Sequence, residues 1–429
     1  MKAIIASIIC ASMSLVASFQ AIAELPGVSA GPVALGPAFE VAAAAPQGAV
    51  TGVAAAALPG NRFVVAWTDR SGTSQQTVRV MAVVLNAVGD AVAPPFVVSG
   101  EGGRWPVVAA SPDGGFAIGW SQSDSFWGRT YRDDLQPLSA AFRIDNPADA
   151  LTTRIGTFND GRTYDLGLTG NQLFATWVTD VDTVWRPFAP RTPASELRVM
   201  RMTTSGMPLM PQALSIEHPA LTEMYTPNIA VGDGQFVVTW TVGGRLHVLM
   251  PPLPNTSVAR ATVRFQRFTF GMQKIGVERV AAYPLDESPT MSAAMNRGDQ
   301  FVLAWRATVN TRFRLTSQSY EADGTARLLR QDIGVNEDGS ISKTAPSVDL
   351  DESGAYAVVW DDPIGAPAVL LQLYQPVTGS DVIQAAGETL TVAAGVEPDV
   401  AMGDGGLLGA FWVELDDGYK SIRGRFFSY

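Results

Sequence analysis

A short phrase that ends in tryptophan recurs along this chain and limits what the chain can fold into. Each copy begins with an aromatic residue or leucine and continues through apolar or small residues, as in the stretch from Phe63 to Trp67. The seven tryptophans are Trp67, Trp120, Trp177, Trp240, Trp305, Trp360 and Trp412. The shortest spacing, from Trp360 to Trp412, is 52 residues, and the longest, from Trp240 to Trp305, is 65. Helical solenoid repeats are about 34 residues long, whereas this longer period suits a blade of four β-strands.

The residues around each tryptophan predict those four strands. A strand of small residues comes first, often opened by proline, as at Pro106 and Pro227. A glycine-containing turn follows, because tight hairpins need a positive φ that glycine adopts at little cost. The tryptophan strand, a variable loop, an alternating strand, a second glycine turn and an outer strand complete the repeat.

The last repeat is one strand short, and the missing strand is found at the other end of the chain. The seventh repeat stops at its third strand, around Arg423 to Phe427. Near the start, Phe39 follows Gly31 by 8 residues, close to the 7 residues between Gly89 and Phe96 in the first repeat. An N-terminal strand that joins the last blade would close the ring and remove exposed sheet edges. We therefore predict an all-β fold, a seven-bladed β-propeller with four antiparallel strands per blade.

These repeats resemble those of bacterial secreted β-propeller proteins. The shared signature is Pro-x-x-Ala followed by Asp-Gly-Gly-Phe-x-x-x-Trp, which is complete from Asp113 to Trp120. The resemblance covers roughly residues 31 to 429 and implies the fold and export from the cytoplasm. It implies no functional residue, and the repeats differ from the sialidase Asp-box and from repeats that end in Trp-Asp.

The first 23 residues have the pattern of a secretory signal peptide. Lys2 precedes an apolar run from Ala3 to Phe19, and residues 21–23 form a small-x-small cleavage site. A membrane anchor is the alternative, but the run contains serines and is shorter than the roughly 20 residues of a transmembrane helix. We expect a signal peptide over residues 1–23, a single propeller domain over residues 24–429, and a periplasmic or extracellular location.

Composition excludes several functions. The single cysteine, Cys10, lies inside the predicted signal, and the only histidines are His218 and His247. A cysteine zinc site is therefore excluded and a Ser-His-Asp triad is disfavoured. The formal net charge of −11 argues against binding to nucleic acid or to anionic membranes. We expect a monomer that does not insert into a membrane.

Three long segments predict a binding surface on one face of the propeller. They are residues 146–162, 178–196 and 241–258, in neighbouring repeats, and they exceed what a connection between strands needs. Their acidic, arginine and aromatic side chains suit a glycan or a protein partner. The candidate ligand-binding residues are Arg162, Asp180, Asp182, Trp185, Arg186, Arg245 and His247. The alternative is that these segments are ordinary solvated loops.

A ring of polar residues is predicted where the inner strands begin. The aligned positions are Val107, Asp165, Asn228, Thr290, Ser347 and Asp399, with Gly52 or Val53 in the first repeat. Asp165, Asn228 and Asp399 are candidate ligands for a hard cation such as calcium, which prefers oxygen donors. The alternative is a channel that contains only water. No other cofactor is expected.

Binding of a macromolecule, a glycan or a protein, is the leading functional hypothesis. A carbohydrate-active hydrolase or lyase is the second, because paired carboxylates cleave glycosidic bonds. Carboxylates that follow a repeat tryptophan supply the candidates, which are Asp180, Asp182, Asp361, Asp362 and Glu414. A structural component of an envelope assembly is the third.

Overall fold

A computed structural model shows the fold of the chain. It describes residues 30–43, 50–70, 78–145, 163–181, 194–216, 223–243, 261–285, 290–309, 312–327, 330–336, 346–362, 367–377, 380, 382–416 and 419–429. Within these residues, 29 strands form seven antiparallel sheets, which are the seven blades. The predicted seven-bladed β-propeller with four strands per blade is confirmed.

The first three blades contain four strands each, which follow one another from the channel outwards. Blade 1 consists of β3 (Val50–Leu58), β4 (Arg62–Asp69), β5 (Arg79–Leu85) and β6 (Phe96–Val97). Blade 2 consists of β7 (Arg104–Ala110), β8 (Phe116–Gln122), β9 (Ser125–Tyr131) and β10 (Phe142–Arg143). Blade 3 consists of β11 (Tyr164–Thr169), β12 (Gln172–Val181), β13 (Ala194–Thr203) and β14 (Leu214–Ile216).

The next three blades repeat this order. Blade 4 consists of β15 (Glu223–Val231), β16 (Gln235–Gly243), β17 (Ala261–Thr269) and β18 (Lys274–Leu285). Blade 5 consists of β19 (Thr290–Met295), β20 (Phe301–Val309), β21 (Arg312–Tyr320) and β22 (Gln331–Asn336). Blade 6 consists of β23 (Ser347–Leu350), β24 (Tyr356–Asp362), β25 (Ala368–Pro376) and β26 (Ile383–Ala394).

Blade 7 joins the two ends of the described chain. Its inner strands are β27 (Val396–Met402), β28 (Leu407–Asp416) and β29 (Tyr419–Ser428), with a 3₁₀ turn at Asp404–Gly406. Its outer edge is formed by β1 (Val33–Ala34) and β2 (Phe39–Ala42), which both pair antiparallel with β29. Val33 lies opposite Ser428, and Phe39 lies opposite Gly424. The predicted closure by the N-terminal strand is therefore confirmed.

The seven blades form a closed ring around a channel. The inner strand of each blade contacts the inner strand of the next, and β27 of blade 7 contacts β3 of blade 1. The inner hairpins turn at one end of the channel, and we call this end the turn face. The loop face is the opposite end, where each tryptophan strand ends. In the described part of the chain, no helix is long and apolar enough to cross a membrane.

Apolar layers between the blades form the core. All seven repeat tryptophans lie there, and none is more than 7 % exposed. Phe116, at the start of a tryptophan strand, is fully buried and stacks on Tyr131 with a centroid distance of 4.8 Å. Each tryptophan strand is covered on both faces, which explains its continuous apolar sequence. The tryptophans are therefore part of the core rather than a ligand-stacking surface.

One glycine shows how tightly neighbouring blades approach. Gly89, in the second turn of blade 1, has a φ of +92°, which is the left-handed region that favours glycine. A Cβ atom at this position would lie 3.0 Å from the ring of Phe39, which belongs to the outer strand of blade 7. The same ring packs on Phe426 with a centroid distance of 5.2 Å. Gly89 thus makes room for the side chain that anchors the closing strand.

Candidate functional site at the loop face

The channel is lined by all seven inner strands and encloses about 310 Å³. Each inner strand pairs with only one neighbour in its sheet, so its other edge faces the channel. Backbone N–H and C=O groups on such an edge need hydrogen-bond partners from side chains or water. This requirement explains why polar residues occur among the small apolar residues of the inner strands.

Two of the predicted ring aspartates cap this free backbone edge. Asp165 accepts hydrogen bonds from the backbone N–H of Leu166 at 2.9 Å and of Ile229, in the next blade, at 3.0 Å. Asp399 accepts from the N–H of Val400 at 3.2 Å and of Ala55, in blade 1, at 2.8 Å. Each carboxylate therefore joins its own blade to the following one.

Asn228 and Ser347 also bridge blades. The Asn228 side-chain amide donates to the carbonyl of Met291, in blade 5, at 3.2 Å. The Ser347 hydroxyl donates to Asp399 and accepts from the N–H of Val400 at 3.2 Å. Asn228 thus connects blades 4 and 5, and Ser347 connects blades 6 and 7.

Strand pairing corrects two of the predicted ring positions. In blades 3, 4 and 6, the ring residue lies opposite the residue that precedes the repeat tryptophan. In blade 5 that position is Ser292, opposite Ala304, and not Thr290. In blade 1 it is Ala54, opposite Ala66, and not Gly52 or Val53. A β-bulge before Ala54 shifts the register there, and Thr290 lies two residues before the ring.

Asp349 is a further channel carboxylate that the sequence argument missed. It lies two residues beyond Ser347 and accepts from the N–H of Leu350 at 2.9 Å and of Met402, in blade 7, at 2.7 Å. Burial in the channel wall raises the pKa of the Asp349 carboxyl to about 7, and the nearby charges of Asp399 and Asp351 raise it further against these hydrogen bonds. Asp349 therefore exchanges a proton near neutral pH.

The ring places the three candidate metal ligands in blades 3, 4 and 7. Asp165 and Asn228 are in adjacent blades, and Asp399 is in blade 7. Among the described residues, no group of three or more His, Cys, Asp or Glu side chains is arranged to hold a metal ion. The calcium site stays a prediction from the sequence.

Near the loop face, several inner strands begin with a bulge. The residue two positions before the ring has a positive φ in four blades, at Gly52 (64°), Trp105 (58°), Thr226 (43°) and Glu397 (53°). The pairing with the tryptophan strand shifts register at each of these places. Bulges of this kind redirect side chains, and they are common beside functional sites.

Trp105 carries the most unusual side chain of these four. It is 42 % exposed, whereas the repeat tryptophans are buried. Its backbone N–H donates to the Thr68 hydroxyl of blade 1 at 2.9 Å, and its carbonyl accepts from the Tyr164 hydroxyl of blade 3 at 2.6 Å. A non-glycine residue at positive φ costs about 1–3 kcal/mol, and the surroundings must hold it there. Hydrogen bonds from both neighbouring blades do so.

Gly52 lies next to this tryptophan, and its N–H binds Glu397. A Glu397 carboxylate oxygen accepts from the Gly52 N–H at 2.6 Å. A Cβ atom at Gly52 would lie 3.1 Å from the Trp105 ring, so the missing side chain lets the ring pack against the backbone. We call Gly52, Trp105 and Glu397 the Trp105 site. It combines an exposed aromatic ring with a fixed carboxylate at the junction of blades 7, 1 and 2.

A buried ion pair supports Glu397 from behind. The Glu397 N–H donates to an Asp361 carboxylate oxygen at 3.3 Å. Asp361 is 4 % exposed, and its other carboxylate oxygen lies 3.6 Å from the guanidinium of Arg306, which also donates to the Asp361 carbonyl at 3.0 Å. Blades 5, 6 and 7 therefore fix the position of the bulge that carries Glu397.

Two of the carboxylates predicted for glycoside cleavage are engaged by arginines, while Asp182 and the side chain of Asp180 lie outside the described residues. Asp361 is engaged with Arg306 and with the backbone of Glu397. Glu414 accepts from the Arg423 guanidinium at 2.6 Å. Asp362 ends the same strand as Asp361. Glu397 is a carboxylate that sequence reasoning did not select, and it holds the Gly52 backbone against which the exposed Trp105 ring packs.

Of the seven residues predicted to bind a ligand, the structure describes the backbone of Asp180. Arg162, Asp182, Trp185, Arg186, Arg245 and His247 lie outside the described residues. Asp180 belongs to β12, where its backbone pairs with Ser195. These residues therefore stay predictions from the sequence.

One signal in the sequence points to the Trp105 site. Proline precedes the ring residue in blades 2, 4, 6 and 7, and the residue before that proline is the bulged position in three of them. Aligning this position gives Trp105, Thr226 and Glu397. The fold does not require a tryptophan or a glutamate at this position. Their presence there would have identified Trp105 and Glu397 as candidates.

Comparisons with known proteins support the fold. No protein-family model and no curated protein matches the sequence. Among solved structures, a polysaccharide lyase named as an ulvan lyase aligns with a TM-score of 0.51 and 10 % identity, covering 92 % of this chain and 94 % of that chain. An α-L-arabinofuranosidase from Fusarium graminearum aligns with a TM-score of 0.45 and 10 % identity, covering 93 % and 98 %. A Dyadobacter fermentans protein of unknown function aligns with a TM-score of 0.43 and 11 % identity, covering 94 % of this chain and 100 % of that chain. The alignment with the lyase agrees with the β-propeller fold that the strand pairing shows.

Proposed function

We propose that this protein is an exported glycan-binding propeller that holds a sugar ring at the Trp105 site. The observation that carries the proposal is the exposed indole of Trp105, kept at a strained backbone position by hydrogen bonds from two neighbouring blades. Strain that the surroundings maintain is typical of functional positions. An exposed, rigid aromatic ring is the usual anchor of a binding site, because it offers a large contact area with little loss of side-chain entropy.

The chemistry of the site supports a sugar rather than an apolar ligand. One side of a sugar ring presents C–H groups, which pack on an indole face, while its hydroxyls need hydrogen-bond partners at the edge. Glu397 supplies a carboxylate bonded to Gly52, the residue on which the ring packs, and a hydrogen bond to a charged acceptor is roughly twice as strong as a neutral one. A few fixed polar groups beside an aromatic surface are what small-ligand sites share.

Two further lines support the proposal. The ulvan lyase with which this chain aligns acts on a polysaccharide, so a propeller of this fold is compatible with a glycan ligand. The second is the sequence, in which the long segments predicted to bind a ligand carry acidic, arginine and aromatic residues that suit a glycan. In this proposal Arg162, Trp185 and their neighbours in sequence extend the contact made by Trp105.

A glycan array tests the proposal. The chain without residues 1–23 is screened beside two variants, Trp105→Ala and Val277→Ala. Val277 is the matched control, because it is an exposed apolar residue, at 78 %, on the outer strand of blade 4. We expect Trp105→Ala to weaken binding by about 2 kcal/mol or more, which is about 30-fold, and Val277→Ala to leave it unchanged. Equal binding by the wild type and Trp105→Ala, with both folded, would reject the Trp105 site.

A carbohydrate-active hydrolase or lyase is the second candidate, and the position of Glu397 favours it. A carboxylate beside a bound sugar ring is the group that glycan cleavage requires, although a second acid or base is needed as well. Incubating any glycan that binds and analysing it for shorter products separates the two candidates. Products that disappear in Glu397→Gln would make the protein an enzyme, whereas an unchanged glycan would leave it a binding protein.

A further inference from the structure

We infer that the Trp105 site selects an uncharged sugar unit and rejects uronic acid and sulfated units. This inference rests on the proposed function and specifies the chemical class of its ligand. It follows from which hydrogen-bond donors and acceptors remain available beside the Trp105 ring.

The backbone donors of the site are already used. The Gly52 N–H bonds to Glu397, the Trp105 N–H bonds to Thr68, and the Glu397 N–H bonds to Asp361. Carboxylate and sulfate groups accept hydrogen bonds and are bound through N–H donors and cations. The backbone of the site therefore has no such donor to offer an anionic sugar.

An acceptor remains instead. One Glu397 oxygen accepts from Gly52, and among the described residues the other has no hydrogen-bond partner. Glu397 is partly exposed, so that oxygen is in reach of a ligand. A sugar hydroxyl that donates to it forms a short, charge-assisted hydrogen bond. The pairing of a Trp105 platform with a carboxylate acceptor fits a neutral, hydroxyl-bearing ring.

The charge of Glu397 is not neutralised locally. The arginine behind it, Arg306, pairs with Asp361, and no ion pair to Glu397 exists among the described residues. A second carboxylate or a sulfate within a few ångströms would be repelled, and the net charge of −11 adds to the repulsion. The ulvan lyase has been solved with -[GlcA(1-4)Rha3S]-, a unit with carboxylate and sulfate charges. We expect this chain to discriminate against such a unit.

Arg104 provides the sharpest internal test. It directly precedes Trp105 in the chain and is partly exposed, so it is the cation to remove when the binding of an anionic sugar is tested. Its Nε is buried without a hydrogen-bond partner among the described residues. If Glu397 and Trp105 are the contacts, removing Arg104 leaves the binding of a neutral glycan unchanged. If instead an anionic glycan is the ligand and Arg104 holds it, removing Arg104 abolishes its binding.

The experiment measures affinities by calorimetry for the chain without residues 1–23 and for four variants. The probes are neutral xylo-, arabino-, manno- and cello-oligosaccharides, and anionic oligogalacturonate and ulvan oligosaccharides. For neutral probes that bind, we expect Trp105→Ala to lose about 30-fold and Glu397→Gln about tenfold, because the amide keeps an oxygen acceptor without the charge. Arg104→Ala and Val277→Ala should stay within about twofold of the wild type. Glu397→Gln should also narrow the preference for neutral over anionic probes.

The outcomes separate the inference from the function beneath it. Failure of every glycan to bind, or full binding by Trp105→Ala, overturns the proposed function. Tight binding of an anionic probe that Arg104→Ala abolishes overturns the inference and leaves glycan binding in place. Neutral binding that Glu397→Gln does not change also overturns the inference, since Glu397 would then not contact the sugar.

Discussion

An apolar layer fills the seam between blades 6 and 7, and another fills the seam between blades 1 and 2. The two seams differ in the side chains that line the channel. Buried aliphatic residues surround Trp412 in the first seam and Trp120 in the second. Along the channel, Asp349 and Ser347 join blade 6 to blade 7. The ring positions of blades 1 and 2 are Ala54 and Val107, whose side chains carry no oxygen.

The ends of the two seams differ as well. At the turn face, the Tyr429 hydroxyl of blade 7 donates to Asp351 of blade 6 at 2.9 Å. At the loop face, Trp105 lies beside Gly52 and exposes its ring. The difference teaches that apolar packing sets how blades stack, while polar side chains are distributed unevenly. Ring side chains join blade 3 to 4, blade 4 to 5, blade 6 to 7 and blade 7 to 1. The ring positions of blades 1 and 2 are apolar, and an exposed aromatic residue lies at the loop-face end of their seam.

The largest expected effect tests whether the apolar layers are equivalent. We expect Trp120→Ala and Trp412→Ala each to lower the free energy of unfolding by about 3–5 kcal/mol, since both side chains are at most 1 % exposed and leave large cavities. Urea unfolding followed by tryptophan fluorescence and circular dichroism measures the change. If one variant loses several times more free energy of unfolding than the other, the two apolar layers are not equivalent.

The next effect is a pH dependence that belongs to the seam of blades 6 and 7. The pKa of Asp349 is about 7 in the folded protein and about 4 in an unfolded chain. The folded state therefore holds the proton more tightly, and this contribution to stability is complete below about pH 4 and falls as the pH rises to about 7. In Asp349→Asn the side chain is neutral throughout, so this fall, on the order of 3 kcal/mol, should disappear.

Urea unfolding of both proteins from pH 4 to 7.5 tests this prediction. Asp404→Asn, in the inner turn of blade 7, is the control for the removal of one negative charge. If the stability of Asp349→Asn falls with pH as steeply as that of the wild type, a group other than Asp349 takes up the proton. The carboxyl in the seam of blades 6 and 7 would then not cause the pH dependence.

A smaller effect is expected where blade 7 meets blade 1. Gly89→Ala combines an unfavourable positive φ with a Cβ atom 3.0 Å from the Phe39 ring, so we expect a loss of about 2 kcal/mol. Gly60→Ala, at a φ of +74° with nothing within 4 Å, should lose only about 1 kcal/mol. Thermal unfolding compares them, and equal losses would mean that the closing strand adapts to the extra methyl group.

The smallest effect is expected at Trp105. Its ring is 42 % exposed and packs against backbone, so Trp105→Ala should lower stability by about 1 kcal/mol or less. The contrast with Trp120→Ala, measured under identical conditions, distinguishes a binding residue from a core residue of the same type. A loss as large as that of Trp120→Ala would make Trp105 a structural residue.

The blade count and the closure of the ring were predictable because both depend on local repetition. Each tryptophan strand has the same neighbours in every blade, so the same residue types recur at Trp67 and its counterparts. Phe39 was identified by its spacing from Gly31 alone, and its partner in the structure is Gly424. Such features need no knowledge of distant contacts.

The Trp105 site was not predictable in this way. The sequence predicts a regular strand opened by Pro106, whereas Thr68 and Tyr164, in other blades, hold the preceding Trp105 in a bulge. Thr290 was chosen as a ring residue because it follows Pro289, by analogy with blades 2, 4, 6 and 7, where a proline directly precedes the ring position. In blade 5 the ring position is Ser292, two residues further along the chain. Register shifts depend on hydrogen bonds between distant residues, which a repeat pattern does not contain.

The closure of blade 7 also determines how the molecule responds to mechanical force. β1 and β29 run antiparallel, and Val33, the first residue of β1, lies opposite Ser428, the last residue of β29. Tension applied through these two residues therefore loads the backbone hydrogen bonds of this pair one after another rather than all together. The ring would peel open at blade 7 under a low force, while the six blades that are each built from one continuous stretch of chain stay folded. Heating a propeller closed in this manner therefore tests its packed core, whereas pulling on it tests the pairing of β1 with β29.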